Sequence, residues 1–287
     1  MTDDLAGSFE PYRRFLAGLA YRMLGSIAEA EDVVQDAFLR WSHADRGGVI
    51  EPRAFLSRIV TRLCLDRLKS ARVQREEYVG TWLPEPVVEG ADQHAALSLA
   101  DDLSVALLVT LESLSPLERA AFLLHDVFDM EFSEVAGMLE RSEPAVRQLA
   151  ARARDHVKEG TPRFEPSPHQ AEIVDAFHAA ITRGDLASLA GLLAEDAVFY
   201  SDGGGKRRAA LRPIYGRAKI LRFFTGIAIK NGRLPDPASL ERATINSLPG
   251  FLVHTPEGTE TLSIAIVADK IVAVYAVRNP DKLRHLS

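Results

Sequence analysis

The chain has 287 residues, 47% of them hydrophobic and 26% charged, with a formal net charge of −6. That profile is of a soluble globular protein with room for two or three domains, and no apolar run approaches the roughly 18 residues a membrane span needs. MTDDLAGSFEP lacks the basic-then-apolar pattern of a secretion signal, and the single Cys64 excludes an internal disulfide framework or a Cys-rich zinc site. A cytoplasmic location without cofactor or metal is therefore expected.

Residues 8–24 place Phe9, Tyr12, Phe15, Leu16, Leu19, Ala20, Met23 and Leu24 on one helical face, which Gly25 ends. Ser26 and Glu29 make the S-x-x-E pattern of a capping box. The helix that follows hides Ala30, Val33, Val34, Ala37, Phe38 and Trp41 and presents Glu31, Asp32, Gln35 and Asp36. Pro52 then opens a long basic helix carrying Arg53, Arg58, Arg62, Arg67, Lys69 and Arg72, with Asp66 as its one acid. Three helices with short joins predict an all-α bundle over 1–75.

Charge changes sharply after that helix. Between 76 and 140, Arg119 is the only Lys or Arg against fourteen acids; Arg141, Arg147, Arg152, Arg154 and Lys158 follow. Two basic islands around an acidic stretch suggest two nucleic-acid contacts, while the net acidity argues against tight DNA binding without a large partner. Residues 76–92 read as an extended acidic linker, punctuated by Gly80, Pro84, Pro86 and Gly90. Trp82 and Leu83 are costly to leave in water and should dock on something.

A second helical group is expected over 93–160, starting with a helix from about Gln93 to Leu114. Ser115, Pro116 and Glu118 form another capping box. Within 131–156, Phe132, Val135, Ala136 and Leu139 mark one short helix. After a polar turn capped by Ser142, Val146, Leu149, Ala150, Ala153 and Val157 mark a second. Arg147, Gln148, Ala151, Arg152 and Arg154 then face outward. Arg suits guanine, Gln suits adenine, and Ala lets the backbone approach, as in a helix laid in a DNA major groove. A basic, solvated helix end in an ordinary bundle has the same spacing.

EDVVQDAFLRW with PRAFLSRIVTRLCLDRLKSAR resembles region 2 of bacterial extracytoplasmic-function (ECF) sigma factors, and LSPLERAAFLLHDVFDMEFSEVAGMLERSEPAVRQLAARARDHV resembles their region 4. The resemblance implies a subunit that gives core RNA polymerase its promoter DNA specificity. It puts Asp32, Gln35 and Asp36 on the polymerase-docking surface. Loop 43–48 and Arg58, Arg62, Asp66, Arg67, Lys69 and Arg72 fall at the minus-10 element, and Arg147, Gln148, Ala151, Arg152 and Arg154 at the minus-35 element. An acidic face suits a basic partner, and a basic helix can hold a displaced strand by its phosphates while a flipped base enters a pocket.

After a Pro-rich joint at 160–168, residues 168–287 change character. Helices are expected over 169–182, after Gly184-Asp185, and near 216–229. Strands are expected at AVFYSD and near 240–247, 250–255, 260–268 and 271–277. This pattern predicts an α+β cone and resembles SnoaL-like domains, the scaffold of polyketide cyclases and ketosteroid isomerases. Trp82-Leu83-Pro84, the D-G-G-G-K run Asp202, Gly203, Gly204, Gly205, Lys206, and Asn279, Pro280, Asp281 resemble motifs of a sigma subgroup with such a domain fused to region 4. The GGGK run is too short for a P-loop.

The fold expected is thus multidomain: two all-α helical bundles, then an α+β SnoaL-like cone. The function expected is that of an alternative sigma factor modulated in cis by the cone, not an enzyme. Lys206, Arg207, Arg208, Arg212, Arg217 and Lys219 complement the acids of 76–140, so the cone should bind the linker and both bundles. A small-molecule or protein ligand of the cone would bias that contact. Two alternatives remain open on the residues alone. One is a ligand-responsive helix-turn-helix regulator. The other is a cyclase-like or isomerase-like enzyme with a DNA-binding extension, for which Asp202, His178, His254 and Tyr200 are the candidate polar groups of the cone's cavity.

Overall fold

The computed structural model describes residues 2–45, 48–76, 78–90, 104–160, 168–231 and 239–286. It divides into two compact units, Met1–Glu77 with Gly90–Thr161, and Tyr78–Glu89 with Pro162–Ser287. The segment expected as an extended linker over 76–92 therefore belongs, over Tyr78–Glu89, to the C-terminal unit.

The first unit is all-helical. Helix α1 (Thr2–Leu24) runs through Pro11, starting earlier than the apolar stripe indicates. It ends at Gly25, whose φ of +70° only glycine adopts without strain, and the Gly25 N–H donates to the Tyr21 carbonyl at 2.7 Å. Ser26 caps α2 (Ile27–His43) by accepting from the Glu29 N–H at 3.3 Å. Trp41 is buried against this pair and donates its indole N–H to Ser8 Oγ at 3.1 Å. Helix α3 (Pro52–Glu76) completes the first group.

In the second helical group, α4 (Val105–Glu112) begins at an N-cap, Ser104, with extended backbone and its hydroxyl on the Leu107 N–H. A continuous helix from 93 to 114 is therefore ruled out, because Ser104 competes for that amide. Residues 93–103 lie outside the described ones. Helix α5 (Pro116–Phe122) carries the full Ser115/Glu118 capping box and passes into a π-helical turn, Leu123–Val127, which the periodicity did not announce. Helices α6 (Phe132–Leu139) and α7 (Glu143–Gly160) are joined through Glu140, which takes the left-handed φ of +54°.

In the second unit, α8 (Gln170–Arg183), α9 (Leu186–Leu192) and α10 (Arg217–Asn231) accompany a six-stranded sheet. Its strands are β1 (Leu193–Asp202), β2 (Ile214–Tyr215), β3 (Leu240–Ile245), β4 (Leu248–Thr255), β5 (Gly258–Val267) and β6 (Lys270–Val277), in the order β2-β1-β6-β5-β4-β3. Strands β3 to β6 form an antiparallel meander, and β1 lies parallel to β6. The first hairpin turns at Asn246 and Ser247, both at positive φ, two residues earlier than expected. The helices cover one face, where Phe177, Phe199, Ile220, Phe251, Ile264 and Val274 share a core. Val88 bridges to Ile245 at the outer strand, and the Asn246 N–H donates to the Val87 carbonyl at 2.8 Å, so the linker shields part of that edge.

Candidate functional site

On α3, Arg58, Arg62, Asp66 and Lys69 form one exposed row at helical spacing, with Lys69 on Asp66 at 3.1 Å. Arg67 leaves the row. It is half-buried and reaches Asp32 at 3.5 Å and Asp36 at 3.4 Å, joining the acidic face of α2 to the basic helix. Asp32 and Gln35 remain exposed and Asp36 is partly so. The Arg72 side chain and residues 46–47 of the preceding loop lie outside the described ones.

On α7, Arg147, Gln148, Ala151 and Arg152 are exposed and Val146, Ala150 and Ala153 are buried, as the spacing requires. Each arginine has an acidic partner: Arg147 on Glu143 at 2.6 Å, Arg152 on Glu118 at 3.3 Å, and Arg154 on Asp126 at 2.5 Å. Arg154 is thereby drawn back toward the π-helical turn. Burial by itself would raise the Glu118 carboxyl, but the Ser115 hydroxyl and amide, with Arg152 nearby, hold it below the usual range.

The densest polar cluster is in the second unit. Asp202 is fully buried and accepts four donors: Tyr78 O–H at 2.5 Å, the Gly204 N–H at 3.0 Å, the Leu83 N–H at 2.9 Å and Lys282 Nζ at 2.7 Å. Lys282, also buried, donates to the Leu83 carbonyl as well and sits 3.9 Å over the Trp82 ring. Asn279 Nδ2 donates to the Tyr78 oxygen at 2.9 Å, and its Oδ1 accepts from the Asp281 N–H at 3.1 Å. Burial first, then the bond to Asp202, pushes the Tyr78 phenol upward. The glycine run follows from crowding. A side chain on Gly203 would strike the Arg207 carbonyl, and one on Gly204, at φ +58°, would overlap Asn279. Gly205, at φ +69°, lies against Val79. Pro84 is buried, and Pro280 opens the short 3₁₀ turn that follows Asn279.

Lys206 pairs with Asp281 at 2.5 Å, holding that carboxyl low together with Arg284, and Arg207 pairs with Glu257. The candidate catalytic groups do not converge. His254 is exposed on Glu241 at 3.0 Å, His178 stacks on Phe251, and Tyr200 stacks on Tyr275 at 5.1 Å. Strand alternation puts Tyr200 and Asp202 on the face opposite Phe199, away from the helix-covered core.

The Sigma-70 region 2 family model matches residues 9–73, and the Sigma-70 region 4 model matches 104–157. The ECF RNA polymerase sigma factor SigJ of Mycobacterium tuberculosis is 40% identical over 96% of this chain and 91% of its own. The chain belongs to the ECF sigma factor family. The probable ECF sigma factor SigI of the same species is 35% identical over 65% of this chain and 66% of its own. The crystal structure of M. tuberculosis SigJ superposes with a TM-score of 0.81 at 37% identity, covering 98% of each chain. The C-terminal sheet domain is thus shared with that relative, and the protein is a sigma factor that directs transcription initiation.

Within the all-helical unit of this sigma factor, regions 2 and 4 are in contact. Arg119 of α5 is 2% exposed. Its Nη1 donates to the Met23 carbonyl at the end of α1 and to Glu112, both at 2.7 Å. Burial lowers its guanidinium to about 10, which still leaves it charged at neutral pH. Phe128 packs edge-on to Phe15 at 5.0 Å and lies under Arg22, and Arg62 reaches Glu140 at 3.2 Å. The sequence reading missed Arg119, Tyr78 and Lys282. Arg119 did have a signal, as the lone base of an acidic stretch, and Lys282 stood inside N-P-D-K-L.

Proposed function

We propose that the cone governs this sigma factor in cis by holding the linker, and that the chain itself catalyses no reaction. The observation that supports both parts is Asp202. Two of its four donors come from the linker, and with all four in place it has no lone pair free to act as a general base. In this reading Asp32, Gln35 and Asp36 dock on polymerase, the row on α3 grips the minus-10 strand, and α7 reads the minus-35 element.

Size makes the linker matter. Two elements about 25 base pairs apart are separated by roughly 85 Å at about 3.4 Å per base pair. A compact unit of about 150 residues is roughly 40 Å across. Regions 2 and 4 must therefore part to reach both elements. Freeing the twelve residues Tyr78–Glu89 adds roughly 40 Å of extended chain between them. The docked and released linker form a two-state equilibrium that a ligand or partner of the cone would bias.

Transcription from one promoter with core polymerase tests this. Truncation after Lys158 and Asp202→Asn should both change output in the same direction without altering which promoter is chosen. Equal output from the full chain and both variants at matched concentration would end the regulatory reading. Turnover of a small substrate by the full chain would restore the enzymatic one.

A further inference from the structure

We propose that Phe132 and Glu143 are positioning residues for promoter reading, together orienting Arg147 so that its outer edge meets a guanine in the major groove. The inference rests on α7 being the minus-35 helix and names a base and a mechanism that the helix assignment alone does not. Phe132 opens α6, where apolar spacing points to ordinary core packing. It is only half-buried, and two side chains lie against its ring. His125 stacks on it with ring centroids 3.7 Å apart and planes 28° from parallel. The Arg147 guanidinium lies 4.3 Å from the same ring centroid. His125 is itself held by a 2.8 Å hydrogen bond between its Nδ1 and the Met130 carbonyl. The π-helical turn supplies His125 and also Asp126, the partner of Arg154, so one irregular turn braces two arginines of α7.

Glu143 fixes the remaining freedom. Arg147 Nε and Nη2 both donate to Glu143 Oε1, at 3.1 and 2.6 Å. One edge of the fork is thereby taken and one face rests against an aromatic ring. The opposite edge, Nη1 with the second Nη2 hydrogen, keeps two parallel donors, and the side chain is 58% exposed. Two parallel N–H donors match O6 and N7 of guanine, the pair that bidentate arginine reads. A guanidinium already held flat loses less freedom on binding than an unsupported one.

The test is in vitro transcription by full-length protein with core polymerase, on promoters randomised across the minus-35 element. Arg147→Ala should erase a guanine preference at one position, by roughly 5- to 150-fold. Phe132→Leu should weaken that same preference by roughly two- to fivefold, the strength of an exposed cation–ring contact. Preferences at the other positions should stay intact, and Phe132→Tyr should retain the guanine preference. Glu143→Gln should resemble Phe132→Leu, and adding Phe132→Leu to Arg147→Ala should change nothing further. A lost guanine preference in Arg147→Ala with none weakened in Phe132→Leu overturns the positioning role alone. A uniform loss in Arg147→Ala, with base preference unchanged, overturns base reading by Arg147 and the positioning role with it. A Phe132→Leu chain that no longer folds leaves Phe132→Tyr and Glu143→Gln to decide, since the first keeps the ring and the second removes only the carboxylate charge.

Discussion

Arg119→Met is the perturbation whose size is best defined by the structure. Arg119 is 2% exposed and joins α5 of region 4 to the Met23 carbonyl near the end of α1 in region 2. Removing one partner of a buried ion pair typically costs about 3–5 kcal/mol. Glu112 retains 18% of its side-chain exposure, so water relieves part of its loss and the lower figure, about 3 kcal/mol, applies. Adding Glu112→Leu removes the stranded carboxylate but leaves the Met23 carbonyl unmet, so the double variant should stay about 1–2 kcal/mol short of wild type. With Trp82→Phe as background, Trp41 is the only tryptophan and its fluorescence reports the helical unit. At an m-value of about 2 kcal/mol/M, the single variant should unfold about 1.5 M earlier in urea. The same change should ease the parting of regions 2 and 4 and raise core affinity per folded molecule. A midpoint unchanged within about 0.2 M would show that Arg119 does not hold the two regions together.

Charge reversal at Asp32 and Asp36 should abolish binding to core polymerase with the helical fold retained, read by size-exclusion with core; wild-type affinity would remove the docking assignment. Gly204→Ala forces a left-handed φ and drives a methyl into Asn279, so it should destabilise the C-terminal unit by roughly 1–3 kcal/mol in thermal unfolding, with Trp82 fluorescence altered. The Glu118 carboxyl is held low in the folded chain, so its ionisation stabilises above its ordinary value of 4.5, and that contribution falls away as pH drops through the lower folded value. A carboxyl NMR titration should place its midpoint below 4.5, and Ser115→Ala should move it upward.

Much of this architecture was legible in the sequence because it rests on local chemistry. The Ser26 and Ser115 caps, the buried stripe of α7 and the Gly184-Asp185 junction each need only a few neighbouring residues, and each reads directly. Trp82 and Leu83 were legible as residues that must dock, since an acidic linker gives them no core. What stayed hidden depends on distance along the chain. Lys282 lies 199 residues from Leu83, and the sequence gives no measure of which carbonyl it will meet. The π-helical turn was hidden for a different reason: its residues fit an ordinary helix, and the added residue shows only in hydrogen bonding. Asp202 was legible as part of the D-G-G-G-K run but its partners were not, because two of its four donors, Tyr78 and Leu83, lie more than a hundred residues away.

The linker clamp is tested most directly by hydrogen–deuterium exchange at the Leu83 amide, in the free protein and in complex with core polymerase and promoter. In the free chain this N–H is buried on Asp202, and exchange should be slow. In the transcribing complex the released linker should exchange at least tenfold faster, the change that about 1.4 kcal/mol in the docking equilibrium produces. Equal protection of Leu83 in both states would mean that the linker never leaves the cone, and the cone would then have no hold over how regions 2 and 4 reach the promoter.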